Sequence, residues 1–350
     1  MGHINNFHLE IIEALRQRGN EVFVMARGED ADFYIPFEKS LYSLKNLKNI
    51  LKIREILNKE RFDAIVLNTN LAAFLVRLSL SNRLKKKIKV VNFVHGYLFH
   101  LGCGVVRRKL FLFCEKLVRR KCDVVITMNR EDYESAVRHR LAREKIISSM
   151  GVGIKKRPLG AARDAIRRGL FGGAPYVIAF VGELSKRKNQ RFLIKCLPGI
   201  RERLGDVRLC LVGDGDEKER LVSLARRLSV YDVVIFAGYR TDAMDFVNAC
   251  DLYVSSALGE GMPLNVIEAM SIGKTVLLSR IKGHTDLVSE GDNGYLYDPF
   301  CKPEFTEKAC RILLSSKIDP ERVRASVKGY ERDIAAGRIV EILRAEIPGL

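Results

Sequence analysis

The residues best suited to chemistry lie between Asp251 and Gly273, in the stretch DLYVSSALGEGMPLNVIEAMSIG. Two carboxylates, Glu260 and Glu268, stand there with seven residues between them. The apolar run Leu252 to Val254, then Ser255 and Ser256, then Gly259 and Gly261, and then a helix-period segment starting near Met262 to Asn265 read as strand, tight loop and helix start. In parallel α/β sheets that layout places ligands at the carboxyl ends of strands. A helix N-terminus offers unpaired N–H groups and the positive end of a dipole to a phosphate. Carboxylates accept hydrogen bonds from sugar hydroxyls, and a site built for a hydroxyl is left unpaired without it. The alternative is that Glu260 is a solvated loop charge and Glu268 an acid supporting the helix dipole; on residue types alone both readings stay open.

The elements that must position these acids alternate along the chain. A helical pattern with Phe7, Ile11, Ile12 and Leu15 on one face leads to a strand at Glu21 to Ala26. Strands at Phe62 to Asn68, Ile88 to His95, Cys122 to Asn129 and Lys145 to Met150 follow, with helices such as Asn46 to Asn58 and Val106 to Arg120 between them. The pattern lapses in GVGIKKRPLGAARDA, residues 151 to 165, as in a linker. A second series runs through Tyr176 to Val181, Val207 to Val212, Val233 to Ala237, Asp251 to Ser255, Thr275 to Ser279 and Gly294 to Tyr297, and the chain closes on a helix from about Tyr330 to Ile347. Strand and helix in alternation mean βαβ units and parallel sheets. A doubly wound domain ordinarily begins with a strand ahead of its first helix, and no room for one precedes this helix, so the expectation is a start that is truncated or misassigned.

Three further loops carry polar groups at strand ends. In VGELSKRKNQRFLIKCL, Lys188 stands at a helix entrance where a cation and amide N–H groups suit a diphosphate; the bland reading is a basic solvated loop. LVGDGDEKERL holds Gly213-x-Gly215, but Lys218 replaces the third glycine of a dinucleotide fingerprint, and Asp214-x-Asp216 is a weak hint of metal-bound nucleotide. In VNFVHGYLFH, His95 ends a strand; a lone histidine is more often a packed or capping residue than a catalyst.

The string GEGMPLNVIEAMSIGKTVL resembles the donor-site signature of the retaining glycosyltransferases of family 4, whose fold is called glycosyltransferase-B. The resemblance implies two Rossmann-like, doubly wound parallel-sheet domains facing a cleft. The first, residues 1–155 with the terminal helix 330–347 crossing back to it, would bind acceptor; the second, 165–329, would bind a nucleotide sugar, and the first strand of the N-terminal domain would be missing. Gly2 and His3 would correspond to the glycine turn after that strand. By the same resemblance Glu260 contacts the donor sugar and Glu268 the nucleotide ribose, with amides near Gly261, Met262 and Leu264 facing sugar and diphosphate. Pro263 departs from the usual glycine and lacks an N–H. Lys188 takes the place of the phosphate-binding lysine, six residues after Gly182, but Glu183 replaces the arginine of the usual cationic pair, for which Lys186 or Arg187 would substitute. The Gly213 loop and FAGYR, with Gly238 and Tyr239, would line the nucleotide pocket, and His95 would stand beside donor sugar and acceptor. GHTDLVSEGDNGYLYD also matches the family, though its glycines most simply mark turns. The implied reaction is transfer, with retention, from a UDP-sugar to a hydroxyl of a glycan or lipid-linked acceptor. No metal or other cofactor is required.

Composition agrees with a two-domain globular chain: 350 residues, 47% hydrophobic, 29% charged. A net charge of +18 calls for an anionic partner. Eight cysteines without metal-ligand spacing suit a reducing compartment, and no apolar run reaches the roughly 18 residues of a membrane span or reads as a signal peptide. Basic clusters at 44 to 59, 81 to 90 and 105 to 121 gather in the first half, and the last mixes Arg and Lys with Leu and Phe as an interfacial helix does. The expected location is cytoplasmic, peripheral at the inner face of the membrane. Two other classes compete: a nucleotide-sugar epimerase or non-catalytic binder, and a basic nucleic-acid-binding protein, for which no helix-turn-helix, RNP or zinc pattern is present.

Overall fold

The computed structural model describes residues 6–28, 31–38, 43–99, 104–149, 151, 153–155, 160, 162–315 and 317–350. Met1 to Asn5, hence Gly2 and His3, lie outside the described residues, as do Met150, Cys103 and the side chain of Phe7. The chain divides into two compact units, Met1–Gly153 with Arg332–Leu350, and Ile154–Glu331.

The first unit opens with α1 (Asn6–Arg16), which buries Ile11 and Leu15. The two-residue strands β1 (Met25–Ala26) and β2 (Phe33–Tyr34) follow, paired in parallel. The strand expected from Glu21 is therefore confined to its end: Val24 turns its N–H to the Asp32 carboxylate at 2.7 Å instead of to a neighbouring strand. Next come α2 (Leu44–Lys59), β3 (Ala64–Leu67), α3 (Asn70–Ser79), the single-turn α4 (Asn82–Lys85), β4 (Lys89–Val94), α5 (Val105–Val118), β5 (Val124–Thr127), α6 (Arg130–His139) and β6 (Lys145–Ser148). β3 to β6 form a four-stranded sheet in sequence order, all parallel. Every residue of β5 and all but the first of β4 are buried, as expected for strands covered on both faces.

The second unit contains α7 (Arg163–Gly169), β7 (Tyr176–Val181), α8 (Gln190–Leu204), β8 (Val207–Val212), α9 (Lys218–Arg227), β9 (Val234–Gly238), α10 (Ala243–Ala249), β10 (Leu252–Ser255), α11 (Leu264–Ser271), β11 (Val276–Ser279), β12 (Tyr295–Tyr297), α12 (Lys302–Leu314) and α13 (Pro320–Ser326). The presumed linker is partly built in: Ile154 donates its N–H to Tyr330 O at 2.8 Å, and α7 already begins at Arg163. The six strands run in the order β12-β11-β10-β7-β8-β9, all parallel, so the direction of winding reverses beside β7. Period-two alternation divides the core: Ile178 and Phe180 of β7 pack with Leu193, Leu197 and Phe305 on one face, Val177 and Ala179 with Tyr253, Ile267 and Met270 on the other. α14 (Arg332–Glu346) returns to the first unit and packs on α1, with Arg332 reaching Glu10 at 3.3 Å. The seven described cysteines are free, and Cys210 is fully buried among the β8 side chains.

Candidate active site

Three adjacent strands of the second unit end in glycine. Gly182, Gly213 and Gly238 close β7, β8 and β9, joined by Gly182 N to Val212 O at 2.9 Å and Gly213 N to Gly238 O at 2.8 Å. A Cβ on Gly213, whose φ is +141°, would lie 2.0 Å from Gly182 O, and one on Gly215 2.5 Å from Leu184 O. The two loops thus touch backbone to backbone, which only glycine permits. The Gly-x-Gly that failed as a dinucleotide fingerprint serves this close approach.

From that rim the chain turns into α8. Asn189 takes a left-handed conformation (φ +56°) at the helix entrance, and the buried Ser256 hydroxyl lies 3.0 Å from both Lys188 O and Asn189 O. Gln190 ties the loop back through Glu183 O at 2.7 Å. So held, the Lys188 ammonium lies 2.7 Å from Glu260 Oε1, with both side chains about nine-tenths buried (10% and 9% exposed). Arg187 reaches the same oxygen at 2.9 Å and Gly259 O at 3.0 Å, while Leu258 N bonds Arg187 O at 2.8 Å. Two cations therefore converge on one carboxylate oxygen, leaving a local excess of positive charge that solvent screens poorly at the buried Lys188 and more fully at the half-exposed Arg187. Glu183, Lys186 and Arg187 are all exposed, and of the two candidates for the second cation it is Arg187 that reaches Glu260 and joins the cluster.

The helix after the second loop is α11, with Pro263 as its N-cap residue; Val266 and Ile267 donate to Pro263 O at 3.0 and 3.1 Å. The N–H of Leu264 points to Met262 O at 3.1 Å, within the turn. Asn265 anchors the helix start to β7 by donating its side-chain amide to Val181 O. Glu268 lies in the second turn and, with Tyr239, Arg240, Thr241, Ala243 and Met244, lines a pocket of about 240 Å³. The Tyr239 ring is 79% exposed there. Tyr253 is fully buried, and burial holds its hydroxyl well above its ordinary pKa against the opposing Val181 backbone, with Glu268 and Glu260 adding to the rise.

Sequence reading took GHTDL for a turn and missed His284. Its ring is fully buried behind the cluster, with Nδ1 2.8 Å from Ser279 O and no hydrogen-bond partner on Nε2. Burial lowers its pKa to about 4 against the Ser279 carbonyl and Glu260, with Lys188 adding to the fall, so it is neutral at pH 7, and the Nδ1 that faces the Ser279 carbonyl carries the proton. A Cβ on the preceding Gly283 would lie 2.9 Å from Gly261 O, so this segment supports the 260–261 loop from below. The only advance signal was a histidine after a glycine at a strand end.

His95 belongs to the first unit, at the end of β4, its ring 5.6 Å from His8 and 5.2 Å from Phe93, edge on to both. Burial, with His8 adding, lowers its pKa to about 4. The loop after it is fixed by Asn70 on Gly96 O at 2.8 Å. Asp214 accepts from Gly215 N at 2.9 Å and lies 3.7 Å from Lys218; among the described residues no three His, Cys, Asp or Glu side chains cluster as metal ligands.

Two family models match this chain: "Glycosyltransferase Family 4" over residues 4–147 and "Glycosyl transferases group 1" over residues 163–332. EpsD of Bacillus subtilis (strain 168), which carries a glycosyltransferase name, is 27% identical over 305 residues, 84% of this chain and 80% of that protein. The Escherichia coli UDP-Gal:alpha-D-GlcNAc-diphosphoundecaprenol alpha-1,3-galactosyltransferase is 25% identical over 76% of this chain and 70% of its own length. Among solved structures, Anabaena Alr3699/HepE in complex with UDP-glucose superposes with a TM-score of 0.75 at 19% identity, covering 99% of this chain and 97% of that one. Sucrose-phosphate synthase of Thermosynechococcus elongatus gives 0.76 at 18% identity, over 98% and 93%.

Proposed function

We propose, for a chain that belongs to glycosyltransferase family 4 and has the glycosyltransferase-B fold, that it moves a sugar with retention from a UDP-sugar to a hydroxyl of a lipid-linked or glycan acceptor at the inner face of the cytoplasmic membrane. Glycosyl transfer in polysaccharide or lipopolysaccharide synthesis is what the family and its relatives support. The UDP donor is suggested by the complexed structural neighbour, and the lipid-linked acceptor by the name of the Escherichia coli relative.

The observation that carries the reading is the convergence of Lys188 and Arg187 on Glu260 beside the Gly182 rim. As the bond between the sugar's anomeric carbon and the diphosphate breaks, negative charge grows on the leaving phosphate. Preorganised cations at the mouth of α8 stabilise that charge more than the ground state, which is how a binding site becomes catalytic. The acceptor oxygen bonds to the same face of the anomeric carbon while its proton passes to a leaving-phosphate oxygen, so no protein carboxylate acts as nucleophile and no metal is assigned a role. Glu260 then reads sugar hydroxyls, with Gly261 and Met262 alongside. Glu268 takes the ribose hydroxyls in the pocket it lines together with Tyr239, and Gly213 and Gly238, at the ends of the neighbouring strands, take the rest of the nucleotide. His95, neutral, is assigned a polar positioning role toward the acceptor. The test is Glu268→Ala: donor turnover with membrane extract should vanish while the melting curve stays that of the parent, and full turnover in this variant would remove the site assignment.

A further inference from the structure

Two helices of the first unit turn apolar side chains outward. On α5, Val106, Leu110, Phe113 and Leu117 recur at spacings of four, three and four, along one face, and are between 41 and 84% exposed. The opposite face is the one the unit buries: Val118 packs inward, and Glu115 receives the fully buried Arg77 guanidinium through two bonds of 3.0 Å. That pairing withdraws the helix's single acid from its surface. Arg107 flanks the apolar stripe on one side, Lys109 and Lys116 on the other, and among the described residues none of the three has a carboxylate partner. α2 repeats the arrangement. Leu44, Leu47 and Leu51 are between 60 and 77% exposed beside Lys48 and Lys52, while Asn46, Asn49, Ile53 and Leu57 face the interior. Both helices pack against α3.

Single exposed leucines need no explanation, but two outward stripes at helical spacing, each bordered by cations, do. A second copy of the chain on this face would set the same cations against one another, a like-charge cost that a symmetric interface cannot avoid. A surface of negative headgroups over an apolar layer matches both features at once. We propose that the α2 and α5 face docks on an anionic bilayer, with Phe113 and the leucines below the headgroups and Arg107, Lys109, Lys116 and Lys48 among the phosphates. The assignment rests on the membrane placement proposed above, to which it gives a docking surface, and needs no assumption about the donor site.

The chain contains no tryptophan, so Phe113→Trp makes a sole fluorophore. With the full chain carrying this change, emission should shift to the blue on adding phosphatidylcholine vesicles that contain phosphatidylglycerol, and stay unshifted with phosphatidylcholine alone. Lys109→Gln with Lys116→Gln should weaken vesicle binding roughly 25-fold, each cation contributing a factor of about five at low salt. Leu110→Asp with Phe113→Asp should abolish binding while leaving the melting temperature and circular dichroism of the parent. Absence of a blue shift at low salt overturns the proposal. So does undiminished vesicle binding by the folded double aspartate variant, which would mean adhesion by charge elsewhere. A lipid-independent dimer in light scattering that buries the introduced indole would assign the face to self-association instead.

Discussion

Replacing Lys188 by methionine separates the catalytic role of this cation from its structural one. The methionine keeps an aliphatic stem against the Gly182 turn, where Lys188 Cε would come within 3.6 Å of a Cβ on that glycine, and removes only the charge. The ammonium is about nine-tenths buried and 2.7 Å from Glu260, so solvent does little to screen it. At an effective dielectric of about 20, a unit charge about 3 Å from a phosphate oxygen is worth roughly 5 kcal/mol before competing cations are counted. Arg187 remains and takes up part of this, which brings the expected loss of transition-state stabilisation to about 3–4 kcal/mol, the range seen when one oxyanion donor is removed. That is a fall in kcat of roughly 10²–10³. Stability should change less. A buried carboxylate stripped of its only partner costs about 3–5 kcal/mol, but Glu260 keeps the Arg187 contact at 2.9 Å, so a loss of about 1–2 kcal/mol is expected. The measurement is UDP release in the presence of donor and acceptor, alongside a thermal melt of the same sample. A folded Lys188→Met protein turning over within a few-fold of the parent refutes the assignment of Lys188 to the leaving group.

Four other outcomes follow from the same geometry. Arg187→Ala should lower kcat about tenfold or more and weaken UDP binding, whereas Lys186→Ala, an exposed neighbour outside the cluster, should leave both within twofold; equal effects would dissolve the distinction. Gly213→Ala sets a Cβ 2.0 Å from Gly182 O at a φ of +141°, and denaturant melts should show a loss of about 2–5 kcal/mol. His95 and His284 have folded pKa values lowered to about 4 from 6.5, so the unfolded chain binds more protons between those values and stability falls as pH drops through that window, by at most about 3 kcal/mol for each ring. His284→Leu should flatten that slope in melts taken from pH 7 to 4, and an unchanged slope would deny the buried neutral ring. Turnover should survive exhaustive dialysis against EDTA, and loss restored by Mg²⁺ or Mn²⁺ would transfer the charge-neutralising role from Lys188 and Arg187 to a metal.

Much of this protein was determined along the chain by local rules. Runs that are apolar or nearly so, such as YVIAFV and VRLCLV with its single Arg208, read as strands that are mostly buried on both faces, and β7 and β8 begin and end where their sequence does. The loop after β10 and the start of α11 were likewise readable, since glycine, proline and then helical periodicity leave little choice. The short β1 was not, because a strand exists only where a partner accepts its bonds, and Val24 bonds Asp32 instead. Tertiary structure alone decided the electrostatics of the site. Lys188 and Glu260 are 72 residues apart in sequence, and spacing holds no information about which of Lys186 and Arg187 shares their carboxylate; that depends on Ser256 and Gln190 fixing the turn ahead of α8. The burial of His284 likewise arises from the backbone of one loop lying on another at Gly283, a contact that no period or composition encodes. Which face of α5 meets water was also hidden, since both faces carry apolar residues, and only the pairing of Glu115 with Arg77 shows which one turns inward.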